Sequence, residues 1–170
     1  MPSARVRVAA YVTRPGPTGP ELLVFDHRDQ PEAGTQIPAG GVAPGELLAQ
    51  AVLREVREET GAIGLVLGPA LAVQQRPHPR TGQPRVTVFF YIRTAETRAS
   101  WPHTVNGQEG DGDSGMDFDC FFVPLREAAG LLVDGQGEFI PLLMGQDGPF
   151  TGRDDLFTGR DDRIRPETTW

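Results

Sequence analysis

Apolar positions recur along this chain at two periods, and the change from one to the other divides it into elements. Residues 5–12 (RVRVAAYV) alternate polar and apolar before running into an apolar stretch, as a half-buried opening strand does. The turn-rich PGPTGP at 15–20 interrupts it, and ELLVF at 21–25 reads as a second, more buried strand paired back as a hairpin. Residues 34–41 are expected to form a short strand ending in a glycine turn. Then the period changes. Leu48, Val52 and Val56 stand four apart, the apolar stripe of a helix expected to begin near Pro44 or Gly45 and to stop at Gly61.

Strand patterns return at 65–74 and 85–93, the second rich in β-branched and aromatic residues, with RPHPRTG at 76–82 as the loop between them. Residues 94–115 are polar and glycine-rich and are expected to be a long loop. Residues 117–124 resume the strand pattern, and Pro124 is expected to open a second helix. Strands interleaved with helices predict an α/β fold, a mixed central sheet with helices packed on it. Residues 1–145 form the expected domain. Residues 146–170 form a tail that carries a direct repeat, FTGRDDL at 150–156 and FTGRDDR at 157–163. Two copies are too few for a solenoid.

Composition narrows the function. The 170 residues are 38% hydrophobic and 23% charged, which suits one globular domain with a sizeable core. No run approaches the roughly 20 apolar residues of a membrane span, and the first residues do not form a basic-then-apolar leader, so a cytoplasmic protein is expected. A net charge of −7 argues against a non-specific nucleic-acid binder, which needs a basic stripe. Cys120 is the only cysteine, so intrachain disulfides and multi-cysteine zinc sites are excluded, and it reads as a reduced core residue. All 16 Lys+Arg residues are arginines. The lack of lysine excludes a Walker-type phosphate loop, Schiff-base chemistry and a lysine nucleophile.

The predicted helix carries Glu55, Glu58 and Glu59 within two turns. At about 100° per residue the three share an arc of roughly 100°. Like charges so close disfavour each other's ionised form, and a hard divalent cation with oxygen ligands is the natural remedy. The surroundings are as informative as the acids. Gly40 is followed after five residues by Glu46, and after seven more by Arg54, Glu55, Val56, Arg57, Glu58, Glu59, Thr60, Gly61 and Ala62. This run resembles the box of the Nudix (MutT-like) hydrolases at each polar and glycine position. It departs at Ala62, where the family has a bulkier aliphatic residue, and Ile63 is the neighbour placed to fill that space.

The resemblance implies an α/β/α sandwich and a hydrolase acting on phosphorus-containing anhydrides. It also implies Mg²⁺ or Mn²⁺ and a nucleotide-type small molecule in which a nucleoside diphosphate is linked to another moiety. Position by position, Glu55 and Glu59 become direct metal ligands, Glu58 completes the cluster directly or through water, and the Ala39 carbonyl is a backbone ligand. Glu55 or Glu58 is the expected proton acceptor. Arg54 is expected beside Glu46, holding helix and loop together. Family members often add a later acid; Asp117 is the first candidate, with Asp119, Glu109 and Asp113 behind it and His103 as an alternative base. Arg28, Arg76, Arg80 and Arg85 are candidate phosphate contacts, and Phe25, Phe89, Tyr91 and Trp101 are aromatics able either to stack a base or to fill the core. Pro77 falls fifteen residues after the box, as in the ADP-ribose-cleaving branch. Family members are often dimers, so a homodimer is open. A nucleotide-sensing Nudix module without turnover is the alternative to an enzyme.

Overall fold

The computed structural model describes residues 4–107 and 114–144. The candidates Glu109 and Asp113 and the repeat-bearing tail lie outside the described residues. In chain order the elements are β1 (Arg5–Gly16), β2 (Gly19–His27), β3 (Ala39–Gly41), α1 (Leu48–Thr60), β4 (Val66–Gln75) and β5 (Arg85–Arg93). They continue with β6 (Ser100–Thr104), β7 (Asp117–Pro124), α2 (Leu125–Ala128) and α3 (Pro141–Met144). The strands form one seven-stranded sheet in the order β4-β5-β1-β2-β7-β6, with β3 paired on β1. Only β1 and β5 run parallel; the other pairs are antiparallel, so the sheet is mixed.

β1 organises the molecule because it is long enough to serve two partners along one edge. Residues Arg7 to Ala9 pair with β3, and Thr13 to Gly16 pair with β2. Successive side chains on a strand point to opposite faces. Val8, Ala10 and Val12 accordingly pack with Ala51, Val52 and Val56 of α1 in one core. Ala9 and Tyr11 pack on the other face with Leu125, Ala128 and Ile140. Both faces are covered, giving the α/β/α sandwich, but unequally: α1 has 13 residues, α2 and α3 four each.

The structure corrects several boundaries. α1 begins at Leu48 rather than near Pro44, because Gly45 takes a left-handed turn (φ +77°) and Leu47 is still extended. Gly61 ends the helix in the left-handed conformation with its N–H on the Arg57 carbonyl, a cap that glycine adopts without a Cβ penalty. Leu48 is not part of the buried stripe; Ala51 takes its place beside Val52 and Val56. Ile63 does not fill the space at Ala62. It is 59% exposed, and Ala62 itself packs into the α1 core. Residues 94–107 are not simply loop, since β6 pairs with β7 there. A five-residue edge strand containing Pro102 leaves almost no periodic signal.

This segment is also pinned by a charge that its sequence does not advertise. Glu96 is 3% exposed and accepts hydrogen bonds from the Arg98 guanidinium and from the backbone N–H groups of Thr97 and Arg98. The Arg98 hydrogen bond holds its carboxyl at about 2, below the ordinary 4.5. A lowered folded pKa gives stability that is complete above the unfolded value and is lost as pH falls. We expect an acid-sensitive component of about 2 kcal/mol, present above pH 5 and disappearing between about pH 4.5 and 2. Urea denaturation of Glu96→Gln against the parent should show a gap at pH 7 that is much smaller at pH 2.5; a gap of equal size at both would refute the assignment.

Candidate active site

The site is built where β3 meets α1. Gly40 and Gly41 close the short strand, and a Cβ added at Gly40 would overlap the Glu55 carboxylate. Glycine is needed there for close approach, since its φ is not in the left-handed region. Glu55 and Glu59 lie on the buried side of α1, 6% and 4% exposed. The Glu59 carboxylate accepts the Ala39 N–H at 2.9 Å, so the two acids are held against adjacent β3 residues. Four apart on one helix face, they share the side that also presents Val52 and Val56.

Arg54 ties these parts together. Its Nε and Nη2 grip both oxygens of Glu46 at 2.8 and 2.9 Å, and Glu46 in turn accepts the Ala43 N–H. Nη1 reaches Glu55 at 2.9 Å and Glu58 at 3.0 Å, and Nη2 also donates to the Gly41 carbonyl. One guanidinium thus joins loop, strand and helix. The Glu46 hydrogen bonds raise Arg54 further above its ordinary range, and Arg54 holds the Glu46 carboxyl low.

The donor set suits a hard divalent cation: two buried carboxylates, Glu59 against Ala39 and Glu55 against Gly40. Glu58 is turned to Arg54. Among the described residues no three Asp, Glu, His or Cys side chains converge on one point. The Ala39 carbonyl accepts Arg7 Nη2 at 3.1 Å.

A family model described as NUDIX domain matches residues 3–143. The chain belongs to the Nudix family. Among solved structures it resembles the NUDIX domain of Shewanella oneidensis NrtR complexed with ADP ribose, at 16% identity and TM-score 0.61, over 85% of this chain and 89% of that one. It also resembles a C. elegans Ap4A hydrolase at 16% identity and TM-score 0.58, over 84% and 98% of the two chains. A MutT protein from Methanosarcina mazei Go1 matches at 21% and 0.58, over 85% and 95%. At these identities the likeness establishes the fold. No curated protein matched the chain.

The remaining candidates of this Nudix domain are scattered. Asp117 opens β7 and accepts the Thr104 hydroxyl at 2.6 Å. Asp119, one β7 face-repeat further, is ion-paired to Arg28 near the exposed rim of the sheet. Arg76 faces Glu138 at 3.6 Å. His103 places Nε2 2.8 Å from the Glu58 carbonyl, tying β6 to the last turn of α1. Phe25, Phe89 and Trp101 are buried in the two cores, and the Trp101 indole donates to the Thr60 carbonyl; Tyr91, also buried, accepts the Thr13 hydroxyl at 2.9 Å. Cys120 is buried and free, and burial pushes its thiol up to about 12. A cavity of about 1240 Å³ opens elsewhere, lined by Thr13, Leu71, Tyr91, Leu125 and Leu143 among others, and none of the box acids borders it.

Arg85 is different: it is 9% exposed and its Nε has no hydrogen-bond partner. Arg7, missed by sequence reasoning, joins it. The available signal was a charged residue at alternate positions with Ala9 and Tyr11, on a face that proves to be interior.

Removing Arg54 leaves a nearly buried Glu55 and two further acids without their shared cation. Arg54→Ala should lower unfolding stability by about 3 kcal/mol, and Arg54→Lys should recover only part of it because an ammonium lacks the planar fork. Chemical denaturation of the metal-free protein checks this; full rescue by lysine would show that charge alone suffices.

Proposed function

We propose that this Nudix protein is a metal-dependent pyrophosphohydrolase, cleaving the anhydride in a nucleoside diphosphate linked to another moiety. The reading is carried by the buried pair Glu55 and Glu59, packed against the glycine-closed strand at Gly40 and Ala39. Carboxylates grouped this closely on one helix face disfavour each other's ionised form, and a hard divalent cation with oxygen ligands offsets that beyond what Arg54 gives Glu55. Glu55, Glu59 and the Ala39 carbonyl would hold Mg²⁺ or Mn²⁺, with Glu58 completing the set directly or through water; Asp117, the later acid expected, is held by the Thr104 hydroxyl. Such an ion, when bound, screens the phosphates and lowers the pKa of the attacking water.

The chain's own groups do the rest. Arg54 fixes the loop between β3 and α1 through Glu46 and the Gly41 carbonyl, which keeps Glu55 in place. Glu55 or Glu58 takes the proton from water; both lie on the helix face that Arg54 organises. Arg85 is the phosphate contact best supported among those expected, since Arg28 and Arg76 face the carboxylates of Asp119 and Glu138.

The test is a substrate panel with Mg²⁺ or Mn²⁺: ADP-ribose, nucleotide sugars, dinucleoside polyphosphates and nucleoside triphosphates. Anhydride cleavage that disappears on chelation is expected. Glu59→Gln should lose at least about 100-fold of this turnover while its denaturation midpoint shows that it remains folded. Saturable binding without cleavage across the panel would instead make the protein a nucleotide sensor.

A further inference from the structure

We infer that Arg5, Arg7 and Arg85 form an anion site on the sheet face opposite α1, and that it selects substrates with three or more linked phosphates over diphosphate diesters. The inference rests on the hydrolase reading above and specifies its substrate class.

The site follows from the β1–β5 register. In this parallel pair Arg5 stands opposite Arg85, and Arg7 opposite Thr87. By alternation Arg5 and Arg7 share the face of Ala9 and Tyr11, and Arg85 that of Phe89, the face opposite α1. Like charges opposite each other in a sheet are destabilising. Here the cost is increased by burial, for Arg7 is half-buried and Arg85 is nine-tenths buried with an unpartnered Nε. Among the described residues no ion pair engages Arg5, Arg7 or Arg85. Arg7 Nη2 donates to the Ala39 carbonyl at 3.1 Å, and a Cβ added at Gly41 would meet the Arg5 guanidinium, while Arg85 stands opposite Arg5 across the β1–β5 pair. These cations therefore border one stretch of the sheet.

That region borders the carboxylates. Arg7 donates to the Ala39 carbonyl, while Glu59 accepts the N–H of the same residue. A phosphate chain whose scissile anhydride lies at Glu55 and Glu59 could continue past Ala39 onto the arginines. Guanidinium forks match phosphate oxygens. A diphosphate diester such as ADP-ribose has one charge on each phosphorus, both at the anhydride being cut, and leaves nothing for the arginines to neutralise. A triphosphate or longer chain brings a further phosphate. The charge of the site thus points away from the ADP-ribose branch that the position of Pro77 resembles.

Two measurements on the full-length protein test this. Without metal, inorganic tripolyphosphate should bind by calorimetry more tightly than pyrophosphate, and Arg85→Gln and Arg5→Gln should each weaken it at least tenfold. Arg5 is exposed, so its variant keeps the test valid if Arg85→Gln does not fold. With metal, the ratio of kcat/KM for a nucleoside triphosphate to that for ADP-ribose should fall about tenfold in either variant, mainly through KM. A dinucleoside tetraphosphate run beside them separates a requirement for chain length from one for a terminal phosphate. Equal binding of the two inorganic anions, or losses equal for triphosphate and ADP-ribose, would overturn the inference and leave the hydrolase reading intact. Failure to cleave anything would defeat the hydrolase reading, while the metal-free binding would still decide this one.

Discussion

The contacts of one guanidinium set the geometry on which the rest of the site depends. Arg54 donates to Glu46, Glu55, Glu58 and the Gly41 carbonyl, so the end of β3, the turn and the middle of α1 cannot move independently. Its two-pronged grip on Glu46 matters because that acid also accepts the Ala43 N–H and so fixes the turn itself. A planar five-donor group can satisfy acceptors from three elements at once, whereas a single ammonium would have to choose.

Given that frame, Gly40 and the two buried acids become one feature. The missing Cβ lets α1 approach β3 until Glu55 lies against the strand, and Glu59 accepts a β3 N–H one residue away. Below them Val52 and Val56 fill the core against Val8 and Ala10 of β1. Packing density resists small shifts, so the carboxylates inherit the rigidity of the apolar core beneath them. The same strand that supplies this floor carries Arg7 on its opposite face, which brings positive charge to the other side of Ala39.

Sequence patterning read most of the sheet. β5 and β7 fall where their β-branched and aromatic runs begin and end, and Gly61 stops α1 as its lack of a side chain permits. Where reading failed, the signal was short or overridden. β6 is five residues with a proline, and its pairing with β7 comes from tertiary contact rather than periodicity. The start of α1 was displaced because Pro44 and Gly45 look like a helix entry but form a turn under the constraint of Glu46. The aromatics were ambiguous because stacking platforms and core residues share one composition; packing decided for the core at Phe25, Phe89 and Trp101.

Read alone, the chain fixes that Glu55, Glu58 and Glu59 share a helix face and that the helix stops at Gly61; both are local, set by helical period and by glycine's freedom at the cap. The pairing of Arg54 with Glu46 came instead from the resemblance of the spaced box to the Nudix pattern. Burial and partnering of the charges came from long-range contact. Arg28 and Arg76 look the same as Arg85 in sequence, yet the first two meet Asp119 and Glu138 and the third is enclosed with a free Nε. Strand register decides that, and register depends on residues far apart in the chain coming to lie side by side.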